Sequence, residues 1–205
     1  MPNQIPILIC IDIEPDKRII ESADSWMGFE SSWGVLQKWR TACYVATGQP
    51  ANFNWFVRID PQIEFTHGSP DWALRKYRKL FARMQEFGDE IGLHPHSWRW
   101  NESDQKWFAD FADQEWIEYL IRQSFSLYQQ FFKTPCQNFR FGDRWLNNQT
   151  VDLLEQLGAT FDFTIEPGKK SREIPEAFTG KLPDYTDALR HPYLPQLLIS
   201  CLKVT

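Results

Sequence analysis

The chain has 205 residues, 42% of them apolar and 24% charged. That is the balance of an ordinary folded domain, and it excludes disorder, collagen and coiled coil. A net charge of −5 and a pI near 5.4 are wrong for a nucleic-acid surface or a polybasic membrane anchor. Aromatic residues reach 16%, with 10 Trp and 16 Phe, which suits a packed core or a sugar-binding cleft.

The first apolar run, Ile5 to Ile13, is short and rich in Ile, and predicts a buried strand. No basic stretch precedes it, and Glu14 and Asp16 follow at once, so it does not read as a secretory leader. No run approaches the about 20 apolar residues that a membrane span needs. The cysteines, Cys10, Cys43, Cys136 and Cys201, are widely spaced and form no C-x-x-C pair. The expectation is a cytoplasmic chain with free thiols, no membrane span and no nucleic-acid partner.

A second strand is predicted over Ala51 to Ile59, with Phe53, Trp55 and Val57 on one face. Asp71 to Phe87 carries apolar residues at helical spacing, and Gly88 stands at the C-cap position. Glu90 to His96 reads as a third strand. Asp113 is a candidate N-cap for a helix to about Phe132, with Trp116, Leu120, Phe125 and Phe131 inward, stopped by Thr134-Pro135. Asn138 to Phe141 is a fourth short strand. A helix over Thr150 to Leu157 is capped by Asn147 or Asn148 and closed by Gly158, and Thr160 to Ile165 is a fifth strand. Prolines then break the chain, and only Leu197 to Val204 reads as one more strand.

Alternating strands and helices predict an α/β fold with a parallel sheet. A full (β/α) barrel takes about 250 residues. The expectation is therefore a single domain over 1–205, an incomplete or distorted (β/α) barrel lacking the C-terminal part of the usual one. In such folds chemistry gathers where the strands end at their carboxyl side. There the sequence offers Asp12 and Glu14, Arg58 and Asp60, His94 and His96, Arg140, Asp143 and Arg144, and Glu166.

His94-Pro95-His96 is the most informative triplet. Proline pushes its predecessor into extended backbone, and residues two apart then point the same way. Two imidazoles with an acid from a neighbouring strand, Asp12 or Glu14, suit a divalent ion, zinc first, with a position left for water. The other acid is available as a base. Arg140 is placed to orient a carboxylate or a substrate anion. Trp98 and Trp100, beside the histidines, and Arg144 and Trp145 are candidate sugar contacts, with core packing the competing account for the tryptophans. His67 falls in a polar loop.

Ile9-Cys-Ile-Asp-Ile-Glu14, Glu90-Ile-Gly-Leu-His-Pro-His96 and Phe139-Arg-Phe-Gly-Asp-Arg-Trp145 together resemble the polysaccharide deacetylases of carbohydrate esterase family 4. The resemblance covers about residues 5 to 166, and Glu90-Ile-Gly-Leu-His94 is its most specific piece. It implies a distorted barrel of the glycoside hydrolase and deacetylase type, and a divalent metal (zinc, with cobalt or nickel as alternatives). The implied reaction is hydrolysis of an N-acetyl group on a sugar or glycan. Carried over by position, it makes Asp12 the base, Glu14, His94 and His96 the metal ligands, and Arg140 the residue holding the base. Asp12 and Glu14 are interchangeable in these roles.

Four departures stand out. The family spaces its histidines four apart, which falls on Trp98, so His96 must substitute. It pairs adjacent acids where this chain has D-x-E. It has proline where Gly142 stands. Its late leucine-rich segment carries a histidine that protonates the leaving amine, whereas Leu197 to Leu202 carries none and His191 is the one late candidate. The alternatives are thus a weak or inactive glycan-binding domain, and a metal hydrolase for an amide that is not a sugar.

Overall fold

The computed structural model describes residues 7–17, 26–171 and 178–190. The expected strand at Leu197 to Val204, His191 and Cys201 lie outside these residues. The fold is α/β, with a five-stranded parallel sheet and six α-helices among the described residues.

The sheet consists of β1 (Cys10–Ile13), β2 (Asn54–Val57), β3 (Glu90–Leu93), β6 (Asn138–Phe139) and β7 (Phe161–Asp162), in that spatial order and all parallel. The strands follow one another in chain order, so the winding does not reverse. Cys10, Asn54 and Glu90 start in register, so β1, β2 and β3 end side by side. Alternate residues face opposite sides. Trp55 and Val57 are fully buried, as are Ile63, Leu74 and Met84 in the same core. Gly92 sits where β6 passes so close that a Cβ would overlap the Asn138 carbonyl, which gives the glycine of Glu90-Ile-Gly-Leu-His94 a packing reason.

Helix α1 (Met27–Thr47) was not marked by the sequence pattern. Only Phe29 and Arg40 of it are buried, and Val35, Trp39 and Val45 are exposed, so its apolar residues show no single stripe. It is held by particular contacts instead. Phe29 packs edge-on against Trp55 and Tyr77. The Asp16 carboxylate accepts from the Gly28 N–H at 2.8 Å. At the far end, Arg40 lies between the Phe53 and Phe87 rings and donates to buried Asp89 at 2.7 and 2.8 Å.

After β2, Asp60 caps α2 (Pro61–His67), with Pro61 in the first turn where its missing N–H costs nothing. His67 therefore ends a helix and stacks on Trp72 at 4.1 Å, contrary to the expected solvated loop. The predicted helix over Asp71 to Phe87 is divided at Tyr77 into α3 (Trp72–Lys76) and α4 (Arg78–Glu86). Tyr77 has left helical geometry, and its hydroxyl donates to Glu30 of α1 at 2.8 Å.

The hairpin β4 (Trp98–Asn101) and β5 (Lys106–Asp110) is a second departure from expectation. With β8 (Phe178–Thr179) alongside β5 it makes a separate three-stranded sheet. Helix α5 (Gln114–Phe132) begins at the expected Asp113 cap, and α6 (Asn148–Gln156) begins at Asn147. The inward face of α5 is Ile117, Leu120, Ile121, Ser124, Phe125 and Tyr128, which includes the expected Leu120 and Phe125, while Trp116 and Phe131 are only partly buried beside it. No described helix is long and apolar enough to cross a membrane.

Candidate metal centre

Parallel pairing continues past the strands. Arg58 N–H donates to Ile13 O, His94 N–H to Val57 O and Arg140 N–H to Leu93 O, at 3.0, 2.9 and 2.9 Å. These bonds fix the backbones of the four strand ends against one another. They bring Asp12, Glu14, His94, His96, Arg140, Asp143, Arg144 and Glu166 to the lining of one cleft of about 480 Å³.

Within it, one ligand atom each from Glu14, His94 and His96 lie within 4.8 Å of one another. His94 Nε2 and His96 Nε2 are 3.2 Å apart, and Glu14 Oε2 is 3.3 Å from His96 Nε2. A tetrahedral ion with bonds near 2.0–2.1 Å separates its ligands by roughly 3.3 Å. The two spacings to His96 Nε2 therefore match a zinc-sized cation, and the third pair, Glu14 and His94, lies within 4.8 Å.

The hydrogen bonds to the far side of each ring sharpen this. His94 Nδ1 lies 2.8 Å from the Arg140 carbonyl, which only accepts, so Nδ1 carries the proton. His96 Nδ1 lies 3.2 Å from Asp143 Oδ2, which assigns its proton to Nδ1 as well. With a proton on each Nδ1, both Nε2 atoms present lone pairs to each other and to a carboxylate, a donor set suited to a cation.

Electrostatics keep the set in this state. Both rings are buried, 5% exposed each. Burial first and the Arg58 charge second hold His96 down at about 4, so the ring is neutral near pH 7. Burial opposes ionisation of Glu14, but in the acid range where it titrates the His96 ring is protonated, and that hydrogen bond with the charges of His96, His94 and Arg58 outweighs burial and leaves the carboxyl at about 2, so it is ionised near pH 7.

Arg58 and Asp60 form the floor of the centre, and both are fully buried. Arg58 Nε donates to Asp60 Oδ2 at 2.6 Å, its Nη2 donates to Gln62, and its Nη1 stands 3.8 Å from Glu14 Oε2. Asp60 also accepts the His96 backbone N–H at 3.1 Å and caps α2. The second-strand pair thus steers one ligand through charge and another through its backbone.

Asp12 lies beside the cluster, with Oδ2 3.8 Å from His94 Nε2. Its Oδ1 is buried without a hydrogen bond and faces Arg140 Nη1 at 3.5 Å. Glu166 joins Arg140 at 3.7 Å and Arg144 at 3.2 Å. Arg144 lines the cleft.

The expected tryptophan platform does not line it. Trp98 is 1% exposed and packs edge-on against Phe178. Trp145 is buried and stacks on Phe111 at 5.5 Å. Trp100 stacks on Phe65, on the hairpin. All three serve packing, because the unrecognised hairpin carries Trp98 and Trp100 into a sheet of its own. The aromatic surface of the cleft comes from Phe141 and Phe178.

Sequence reading gave Asp143, Arg58 and Asp60 no role. The signal for Arg58 and Asp60 was their two-residue spacing after a strand, the same spacing that marked D-x-E. Compared with known families, curated proteins and solved structures, the chain matches no family model, no curated protein and no solved structure.

Proposed function

We propose that the chain is a metal-dependent hydrolase that removes an N-acetyl or other N-acyl group from a sugar or glycan. The observation that carries this reading is the Glu14, His94 and His96 acceptor set gathered within 4.8 Å, two of its spacings being 3.2 and 3.3 Å, with Asp12 beside it. The one-way order of the parallel strands is that of a (β/α) barrel and supports the same family of folds.

A divalent ion, zinc first, would be held by Glu14, His94 and His96 and would supply Lewis acidity toward the acyl carbonyl and toward a water. The other roles fall to the chain. Asp12 takes the proton from the attacking water and passes it to the departing amine. Arg140 orients Asp12 through the 3.5 Å approach, and Glu166 braces Arg140 from behind. Arg144 contacts the substrate from the cleft wall. Glu14 is taken as ligand rather than base because its Oε2 approaches His96 Nε2 at 3.3 Å, closer than Asp12 Oδ2 comes to His94 Nε2 at 3.8 Å. The glycan-holding alternative receives less support, since none of its three tryptophans lines the cleft.

The test is acetate release from N-acetylated amino sugars, single and linked, by the zinc-loaded chain. Acetate and free amine should appear in equal amounts and disappear in Asp12→Asn with zinc still bound. A zinc-loaded chain that releases acetate from non-sugar amides but from none of these sugars would contradict the sugar assignment.

A further inference from the structure

The segment from Arg140 to Arg144 touches nearly every group of the centre. The Arg140 carbonyl accepts from His94 Nδ1 at 2.8 Å, and its guanidinium faces Asp12 at 3.5 Å. Gly142 N–H donates to the Pro95 carbonyl, between the two histidines, at 2.8 Å. Asp143 Oδ2 meets His96 Nδ1 at 3.2 Å.

Reaching these partners distorts the chain. Asp143 and Arg144 both adopt left-handed backbone, with φ of 56° and 58°. Residues with a Cβ rarely adopt this conformation. The surroundings hold the turn in place: the Tyr185 hydroxyl donates to the Arg144 carbonyl at 2.9 Å, and Trp145 stacks on Phe111 with only 8° between planes. Gly142 lies so close to the His96 imidazole that a Cβ would overlap the ring.

We infer that Asp143 is a positioning residue of the metal centre: carried on this strained turn, its carboxylate fixes His96 as the Nδ1–H tautomer and turns Nε2 toward Glu14 and His94. The inference rests on reading those three side chains as a cation site. Two histidines two residues apart on extended backbone share a side of the chain but not a focus, and here the ring planes stand 84° apart. Each ring needs its own anchor. His94 has a backbone carbonyl, and His96 has a carboxylate, which also makes the ring a stronger ligand.

The experiment compares the parent with Asp143→Asn and Asp143→Ala. Asparagine tolerates left-handed backbone, so that variant keeps the turn while losing the charge. Imidazole nitrogen-15 NMR on the metal-free chains reads the tautomer, zinc titration reads affinity, and thermal unfolding checks the fold. The inference predicts one Nδ1–H tautomer for His96 in the parent and a mixture in Asp143→Ala. It also predicts zinc binding about 10–100-fold weaker in Asp143→Ala, with Asp143→Asn between. An unchanged His96 tautomer in Asp143→Ala, or equal zinc affinity in all three chains, overturns it. A parent that binds no zinc overturns the cation-site reading instead, and the tautomer measurement still decides the role of Asp143.

Discussion

His94 Nε2 and His96 Nε2 face each other at 3.2 Å, with both Nδ1 atoms already committed to acceptors. Two lone pairs at that distance repel unless a cation lies between them. Zinc should therefore stabilise the folded chain. At free zinc 100 times the Kd, linkage gives about 2.7 kcal/mol, seen as a higher Tm reversed by a chelator. A Tm indifferent to zinc and chelator contradicts the prediction.

Asp12→Asn keeps the size of the side chain and removes the proton acceptor. The expected result is kcat lower by roughly 10²–10⁴ with zinc stoichiometry unchanged. Arg140→Lys keeps the charge but loses the planar fork, and should lower kcat by a smaller factor. Loss of zinc in Asp12→Asn would mean that Asp12 is a ligand and that the roles of Asp12 and Glu14 are exchanged.

Gly142→Ala places a methyl group where the His96 ring lies. The ring must move, so zinc affinity should fall while the fold persists. Zinc titration and circular dichroism on the same sample check both halves.

Acid should destabilise the metal-free chain through His96. Its folded pKa of about 4 lies below the ordinary value of about 6.5, so the folded form binds fewer protons between those values. Its contribution to stability is complete above about pH 6.5 and is lost as pH falls toward 4, at up to about 1.4 kcal/mol per unit. Glu14, with a folded pKa of about 2, acts in the same direction at lower pH. Urea unfolding from pH 7 to 5 should show the slope, and His96→Gln should flatten it.

At the opposite end of the strands, Asp89 accepts from Arg40, the Phe53 N–H and Trp55 Nε1. Asp89→Asn leaves the Arg40 charge buried and unpaired, at a cost of about 3–5 kcal/mol. Denaturant unfolding should show that loss, while zinc affinity in the folded protein stays the same. A parallel fall in affinity would show that the two ends are coupled.

The first three strands of the parallel sheet were legible because each is a short, largely apolar run, and the site because its polar residues lie at or just past the strand ends, whereas β6 and β7 are only two residues each. Helix α1 was not, since it is held by Arg40, Phe29 and a cap from distant Asp16 rather than by an apolar stripe. The β4–β5 hairpin was hidden for another reason. Trp98 and Trp100 beside two histidines read equally as platform or core, and only their pairing across to Ala109 and Trp107 separates the two. Asp143 was visible as a polar residue after the fourth strand, but its contact with His96 depends on a left-handed turn that no residue in Asp143-Arg144 announces.

The most direct test is elemental analysis of the purified chain after zinc loading and removal of excess, with His94→Ala and His96→Ala alongside. The account predicts about one zinc ion per chain, retained by the parent and lost from both variants. A parent that holds no zinc, or variants that hold as much as the parent, would contradict it.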